Sequence, residues 1–211
     1  MPVTVKVKGG GEVKAEALLT EVGPVITELS GDAVVAFRWH ALELADHSAE
    51  LFYGLNRAGS VEDALKAAAL PSVVSQNLVV ADAAGDFAWQ VFGAVVKRRG
   101  YSGRLPYPAS DPAYGWEGYF AALPGERRPE RGYIQTANSR PDWPEADAIS
   151  TDYVPPWRFG RIGERLLATP KATPAAMGEI QRDRRDLHAA ARAPALLDGV
   201  ALKAPGAELL L

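Results

Sequence analysis

Residues 132–141, Gly-Tyr-Ile-Gln-Thr-Ala-Asn-Ser-Arg-Pro, constrain this chain more than any other stretch. Gly132 and Pro141 bracket a β-type run, Gly132 to Thr136, that ends abruptly in a turn made by Asn138, Ser139, Arg140 and Pro141. The turn presents one carboxamide, that of Asn138. Asn carries two N–H donors and does not ionise, so it can hold a developing oxyanion at any working pH. On local spacing the competing and favoured reading is an Asx-turn, in which Asn138 caps its own backbone.

The chain has 211 residues, 47% of them hydrophobic, enough for one large domain or two small ones. A formal charge of −3 gives no pull toward nucleic acid or an anionic membrane. With no cysteine, disulfides, thiol nucleophiles and Cys-based zinc sites are excluded. No apolar run approaches the roughly twenty residues of a membrane helix. Residues 1–8, Met-Pro-Val-Thr-Val-Lys-Val-Lys, lack the apolar core of a signal peptide.

Val3, Val5 and Val7 alternate with polar residues and predict a half-buried strand closed by Gly9 to Gly11, with Val13 to Leu19 as hairpin partner. Gly23 to Ile26 opens another strand, and Gly31-Asp32 marks a turn before a strand over Ala33 to Trp39. A helix follows over Ser48 to Asn56, with Leu51, Phe52 and Leu55 on one face. Ser60 and Asp63 form a capping box for a second helix, with Leu65, Ala68 and Ala69 inward and a stop before Pro71. Asn77 to Asp82 and Phe87 to Val95 read as a hairpin turning through residues 83–86. Gly100 to Pro112 reads as an ordered loop anchored by Tyr101, Leu105 and Tyr107. Residues 123–131 and 142–156 read as loops, and Phe159 to Leu167 as a helix. Thr173-Pro174 is an N-cap followed by Pro, for a helix running toward Ala191. Leu196 to Leu211 is apolar.

His40, His47 and His188 lack metal-ligand spacing, and no Gly-x-Ser-x-Gly elbow accompanies them, so they read as packing or surface residues. Gly9 to Gly11 lacks the helix and Lys-Ser/Thr of a phosphate loop. Residues 181–186, Gln-Arg-Asp-Arg-Arg-Asp, read as a solvated helix face with i,i+4 pairs. Arg158, after Pro155-Pro156-Trp157 at a helix start, can orient an Asn carboxamide or fix a substrate carboxylate; alone it reads as an ordinary surface Arg.

The order of these segments resembles the penicillin acylase family of N-terminal-nucleophile amidohydrolases. The matching pieces run from Val7 to Gly10, Thr20 to Ile26, Phe37 to Trp39 with Ala41-Leu42, and Gln76 to Asp82 with Gly85. They continue through Trp116 to Gly118, Gly132 to Ile134, Ala137-Asn138, and Pro156 to Arg158 with Arg161-Ile162. The resemblance implies an α+β fold, part of the αββα sandwich, with antiparallel sheet and flanking helices. It makes the 211 residues a single incomplete domain, an interior piece of the larger subunit. It implies hydrolysis of an N-acyl small molecule by an N-terminal Ser whose own α-amine is the base.

By motif match Asn138 becomes the oxyanion-hole residue and Arg158 its support, which reverses the reading of the turn. Gln76 falls on a strand that lines the acyl pocket in relatives. Asp147, and the Gly103 carbonyl, resemble ligands of a structural calcium held by some relatives; no cofactor is implied for catalysis. The nucleophile-bearing segment or subunit is expected outside this chain, and export to the periplasm or medium follows from the family. The alternatives are an acyl-homoserine lactone or lipopeptide acylase and, from another class, a non-catalytic remnant or binding domain, whose half sandwich would expose apolar surface.

Overall fold

The computed structural model describes residues 1–28 and 34–198. The chain falls into two compact units, one of residues 1–127 with 143–151, the other of residues 128–142 with 152–211.

The first unit carries all the antiparallel ladders found among the described residues. β1 (Pro2–Lys6) pairs β2 (Glu12–Glu16), with Val3 opposite Ala15 and Val5 opposite Val13. The hairpin predicted from Val3, Val5 and Val7 is there, but neither of its faces is buried: every residue of β1 and β2 except the partly buried Val3 is exposed. β3 (Leu19–Thr20), β4 (Gly23–Glu28) and β5 (Val34–Ala36) form a second sheet. β5 stops three residues short of Trp39, and the Gly31-Asp32 turn lies outside the described residues.

β6 (Gln76–Ala81) and β7 (Phe87–Phe92) form the expected hairpin. β10 (Gly125–Arg127), within a stretch predicted as loop, joins the free edge of β7. β8 (Val96–Arg99) pairs β9 (Gly115–Tyr119).

α1 (Ser48–Arg57) and α2 (Val61–Ala68) pack on one another. The inward face of α2 is Val61, Ala64, Ala67 and Ala68, while Ala69 is exposed. The predicted face is rotated because Gly54 of α1 lets the backbones approach at Ala67, whose Cβ would lie 2.9 Å from a Cβ at 54. Leu51, Ala68 and Phe92 form the core cluster, with Leu55 and Leu78 against it. Phe52 meets Phe92 edge-on at 6.2 Å but stays partly exposed. Tyr101, Tyr107 and Tyr114 stack to anchor the 100–112 loop; Leu105 contributes nothing to that anchor, being 71% exposed. A short helix, α3 (Ala146–Ile149), replaces part of the loop predicted over 142–156.

In the second unit α4 (Trp157–Leu167) matches its prediction. Thr173 caps α5 (Pro174–Gln181) by accepting from Ala176 N at 3.1 Å, but this helix does not run to Ala191. It stops at Gln181, and α6 (Leu187–Leu197) starts afresh. The break follows from two Asp side chains that capture backbone N–H groups. Asp183 accepts from Arg185 N, and Asp186 from His188 N and Ala189 N. Most of the apolar Leu196 to Leu211 segment lies outside the described residues.

The capping box at α2 forms with one change. Ser60 Oγ accepts from Asp63 N at 3.1 Å, while Asp63 Oδ2 receives Gly59 N at 3.3 Å and the Ser60 hydroxyl at 2.7 Å. Ser60→Ala is expected to lower unfolding stability by about 1 kcal/mol. Urea denaturation followed by circular dichroism measures this, with the midpoint falling and the slope unchanged.

Candidate active site

The β-type run predicted over Gly132 to Thr136 has no regular secondary structure at 133–136 and pairs with no strand among the described residues. The β-type run therefore forms no ladder. Its neighbour in this unit is helix α4, which offers side chains and no backbone edge. Gln135 meets that helix through its side-chain amide and Ala137 through its backbone carbonyl. Both Gln135 amide atoms lie 3.2 Å from the Cβ position of Gly163, the one buried residue of α4. Gln135 Oε1 is buried there without a hydrogen-bond partner among the described residues. Ala137 is 7% exposed.

After Ala137 the chain reverses. Asn138 has φ +58°, the left-handed conformation that Asn tolerates better than most residues. Its carbonyl accepts from Val154 N at 3.1 Å, which ties the turn to the segment leading into α4. The Arg158 Nη2 group then makes two bonds, one to the Ala137 carbonyl at 2.8 Å and one to Asn138 Oδ1 at 2.7 Å.

This pair decides which way the carboxamide faces. A guanidinium has donors only, so the atom facing it must be oxygen, and Nδ2 must turn away. Nδ2 has no partner among the described residues, and Asn138 is exposed. Arg158 lies in the first turn of α4, where the helix dipole disfavours a cation. Its two oxygen partners offset that cost. The predicted Asn–Arg pair is thus brought together, with two donors directed outward from a fixed carboxamide.

Arg161, one turn along α4, binds Asp183 through Nε at 3.2 Å and Nη2 at 2.6 Å, and Glu164 through Nη1 at 3.0 Å. Arg165 Nε lies 3.4 Å from the same Asp183 carboxylate. The bond from Arg161, then that from Arg185 N, holds the Asp183 carboxyl below its ordinary value, against a smaller opposing effect of desolvation. So the 181–186 run is not a solvated helix face; only Gln181 is helical, and Asp183 ties the α5–α6 connector to α4.

Gln76 begins β6 opposite Phe92 and is exposed. Asp147 is an exposed residue in the first turn of α3. Among the described residues no three His, Cys, Asp or Glu side chains converge as metal ligands. Arg98 Nε lies 2.9 Å from where a Cβ on Gly103 would stand, and Arg98 Nη1 donates to Ala148 O at 3.4 Å. His40 Nε2 meets Val73 O at 3.1 Å and His188 packs on Trp157, as expected of packing histidines. Sequence reasoning missed Gln135 and Asp183. No local pattern carried a signal for either.

The family model described as penicillin amidase matches residues 1–210. This chain belongs to the penicillin amidase family. It is similar to the acyl-homoserine lactone acylase QuiP of Pseudomonas fluorescens, at 34% identity over 66% of this chain and 18% of that protein. It is also similar to the penicillin acylase 2 proenzyme of Pseudomonas sp. (strain SE83), at 32% identity over 79% of this chain and 22% of that one. The chain thus spans about a fifth of the length of these relatives. Its fold matches that of a thermostable penicillin G acylase from Alcaligenes faecalis, with a TM-score of 0.70 at 16% identity, over all of this chain and 39% of the other. The fold of this penicillin amidase family member is accordingly α+β, antiparallel sheets with flanking helices, part of the acylase architecture. The family is one of amide-hydrolysing acylases. No helix among the described residues is long and apolar enough to cross a membrane.

Asp183 yields a pH prediction. Its folded-state pKa is depressed below 3.8, so its contribution is fully present above that value and is lost as pH falls through the lower, folded value. Asp183→Asn is expected to melt below the parent protein at neutral pH, with the gap closing as pH falls below about 4. Thermal melts across that range check this; a gap that widens on acidification would contradict the Arg161–Asp183 assignment.

Proposed function

We propose that this chain is the oxyanion-stabilising part of an N-acyl amide hydrolase, with Asn138 as the donor and Arg158 as the group that fixes it. The observation that carries the reading is the Arg158 Nη2 bond to Asn138 Oδ1, with Nδ2 left without a partner among the described residues. The family match supports the reaction class. The attacking Ser and the amine that serves as its base come from protein outside these 211 residues.

In this reading the Ser oxygen bonds to the acyl carbon as its proton passes to the amine base. The carbonyl π pair moves to oxygen, and that oxyanion takes a hydrogen bond from Asn138 Nδ2. Collapse of the tetrahedral species breaks the C–N bond, and the base returns the proton to the departing amine. Water then attacks the acyl-enzyme by the same route, releasing the carboxylic acid and regenerating the Ser. Arg158 does not touch the substrate in this scheme. It keeps the carboxamide from rotating, so the donor is in place before charge develops, which is where such stabilisation is effective. Gln76 is assigned to the acyl pocket, and its exposed position on β6 is consistent with that role.

The similarity to acyl-homoserine lactone acylases favours, as a second reading within the class, a linear acyl chain on a lactone amine over a β-lactam. Rates across acyl-homoserine lactones of increasing chain length, beside a penicillin, separate the two.

The test is co-expression with a nucleophile-bearing segment from a relative, followed by an acyl-amide assay. Asn138→Ala is expected to lower kcat by roughly 10²–10³, about 2.7–4 kcal/mol, with KM little changed. Activity equal to the parent in the reconstituted enzyme would falsify the assignment. Arg158→Lys, which keeps the charge but loses the planar fork, is expected to lower kcat by a smaller factor, reported by the same assay.

A further inference from the structure

A cavity of about 640 Å³ lies in the second unit between α4, the end of α5 and the start of α6. That volume is in the range of small-molecule sites. Its walls are mostly apolar, with Trp157 and Ile162 on α4, Ile180 on α5 and Leu187 on α6. Trp157 against His188, with ring centroids 5.5 Å apart, closes the side between the two helix starts.

The charges in the wall are unequal. Five Arg side chains line the cavity, 158, 161, 165, 184 and 185, against two Asp, 183 and 186. Most of these charges are already engaged. Asp183 is shared by Arg161 and Arg165. Asp186 caps α6, and Arg158 holds the Asn138 turn. The guanidinium groups of Arg184 and Arg185 have no partner among the described residues. Two unspent planar cations therefore edge an apolar chamber, which is the complement of a carboxylate on an apolar body.

We propose that this cavity binds an amphipathic monocarboxylate, its carboxylate on Arg184 and Arg185 and its hydrocarbon against Trp157, Ile162, Ile180 and Leu187. Inorganic phosphate is the wrong occupant. The backbone N–H groups at the start of α6 that would hold it are taken by Asp186, and the apolar walls would face a fully hydrated ion. The site goes beyond the hydrolase reading and depends on neither Asn138 nor the acyl chemistry.

The test is isothermal titration of the full 211-residue chain at neutral pH and low salt with octanoate, octanamide and inorganic phosphate. Octanoate is expected to bind saturably at one site, octanamide at least about tenfold more weakly, and phosphate not to compete. The double variant Arg184→Gln/Arg185→Gln is expected to weaken octanoate at least about tenfold with an unchanged circular dichroism spectrum; both side chains are exposed, so folding is not at stake. Four results each overturn the proposal. They are no saturable octanoate binding, equal binding of octanoate and octanamide, phosphate binding as tightly as octanoate, or full-strength binding by the double variant.

Discussion

One guanidinium nitrogen organises the second unit. Arg158 Nη2 donates to a backbone oxygen and to a side-chain oxygen of consecutive residues, 2.8 and 2.7 Å away. The first bond places the turn; the second sets the rotation of the Asn138 carboxamide. Since Arg offers donors only, the choice between the two faces of the amide follows from chemistry and not from fit. The backbone agrees with it. The left-handed φ of Asn138 and the bond from Val154 N to its carbonyl hold the same turn from the other side.

A second layer of charge holds the helix that delivers Arg158. Arg161 grips Asp183 with two bonds, and Arg165 approaches the same carboxylate. These groups are only partly exposed, with Asp183 at 13% and Arg161 at 20% of side-chain surface. Side-chain acceptors in the α5–α6 connector therefore do two tasks. They break what the composition suggests is one continuous helix, and they fasten the break to α4.

How much of this was legible in the residues differs by element. Where the signal is local, it read correctly. Ser60 and Thr173 cap the helices they were expected to cap, and the turn between β6 and β7 falls at residues 83–86. Where the outcome depends on a partner distant in sequence, it did not. β10 needs the free edge of β7, and three residues with Gly at one end carry no strand signal of their own. The run before Asn138 has strand composition but meets a helix. The face of α2 was misjudged because a glycine on another helix chose it. The Asn138–Arg158 pair was legible only through resemblance of segment order, since twenty residues of Pro-rich chain separate them. Asp147 and Gly103 matched as single residues only, and no local pattern around either adds to the match.

The missing side chain at Gly163 has a mechanical meaning. The Gln135 amide sits in that notch at a distance no ordinary Cβ would allow without yielding. The notch therefore seats the Gln135 amide against the one buried position of α4, the helix that also carries Arg158, and a side chain at 163 would press on that amide.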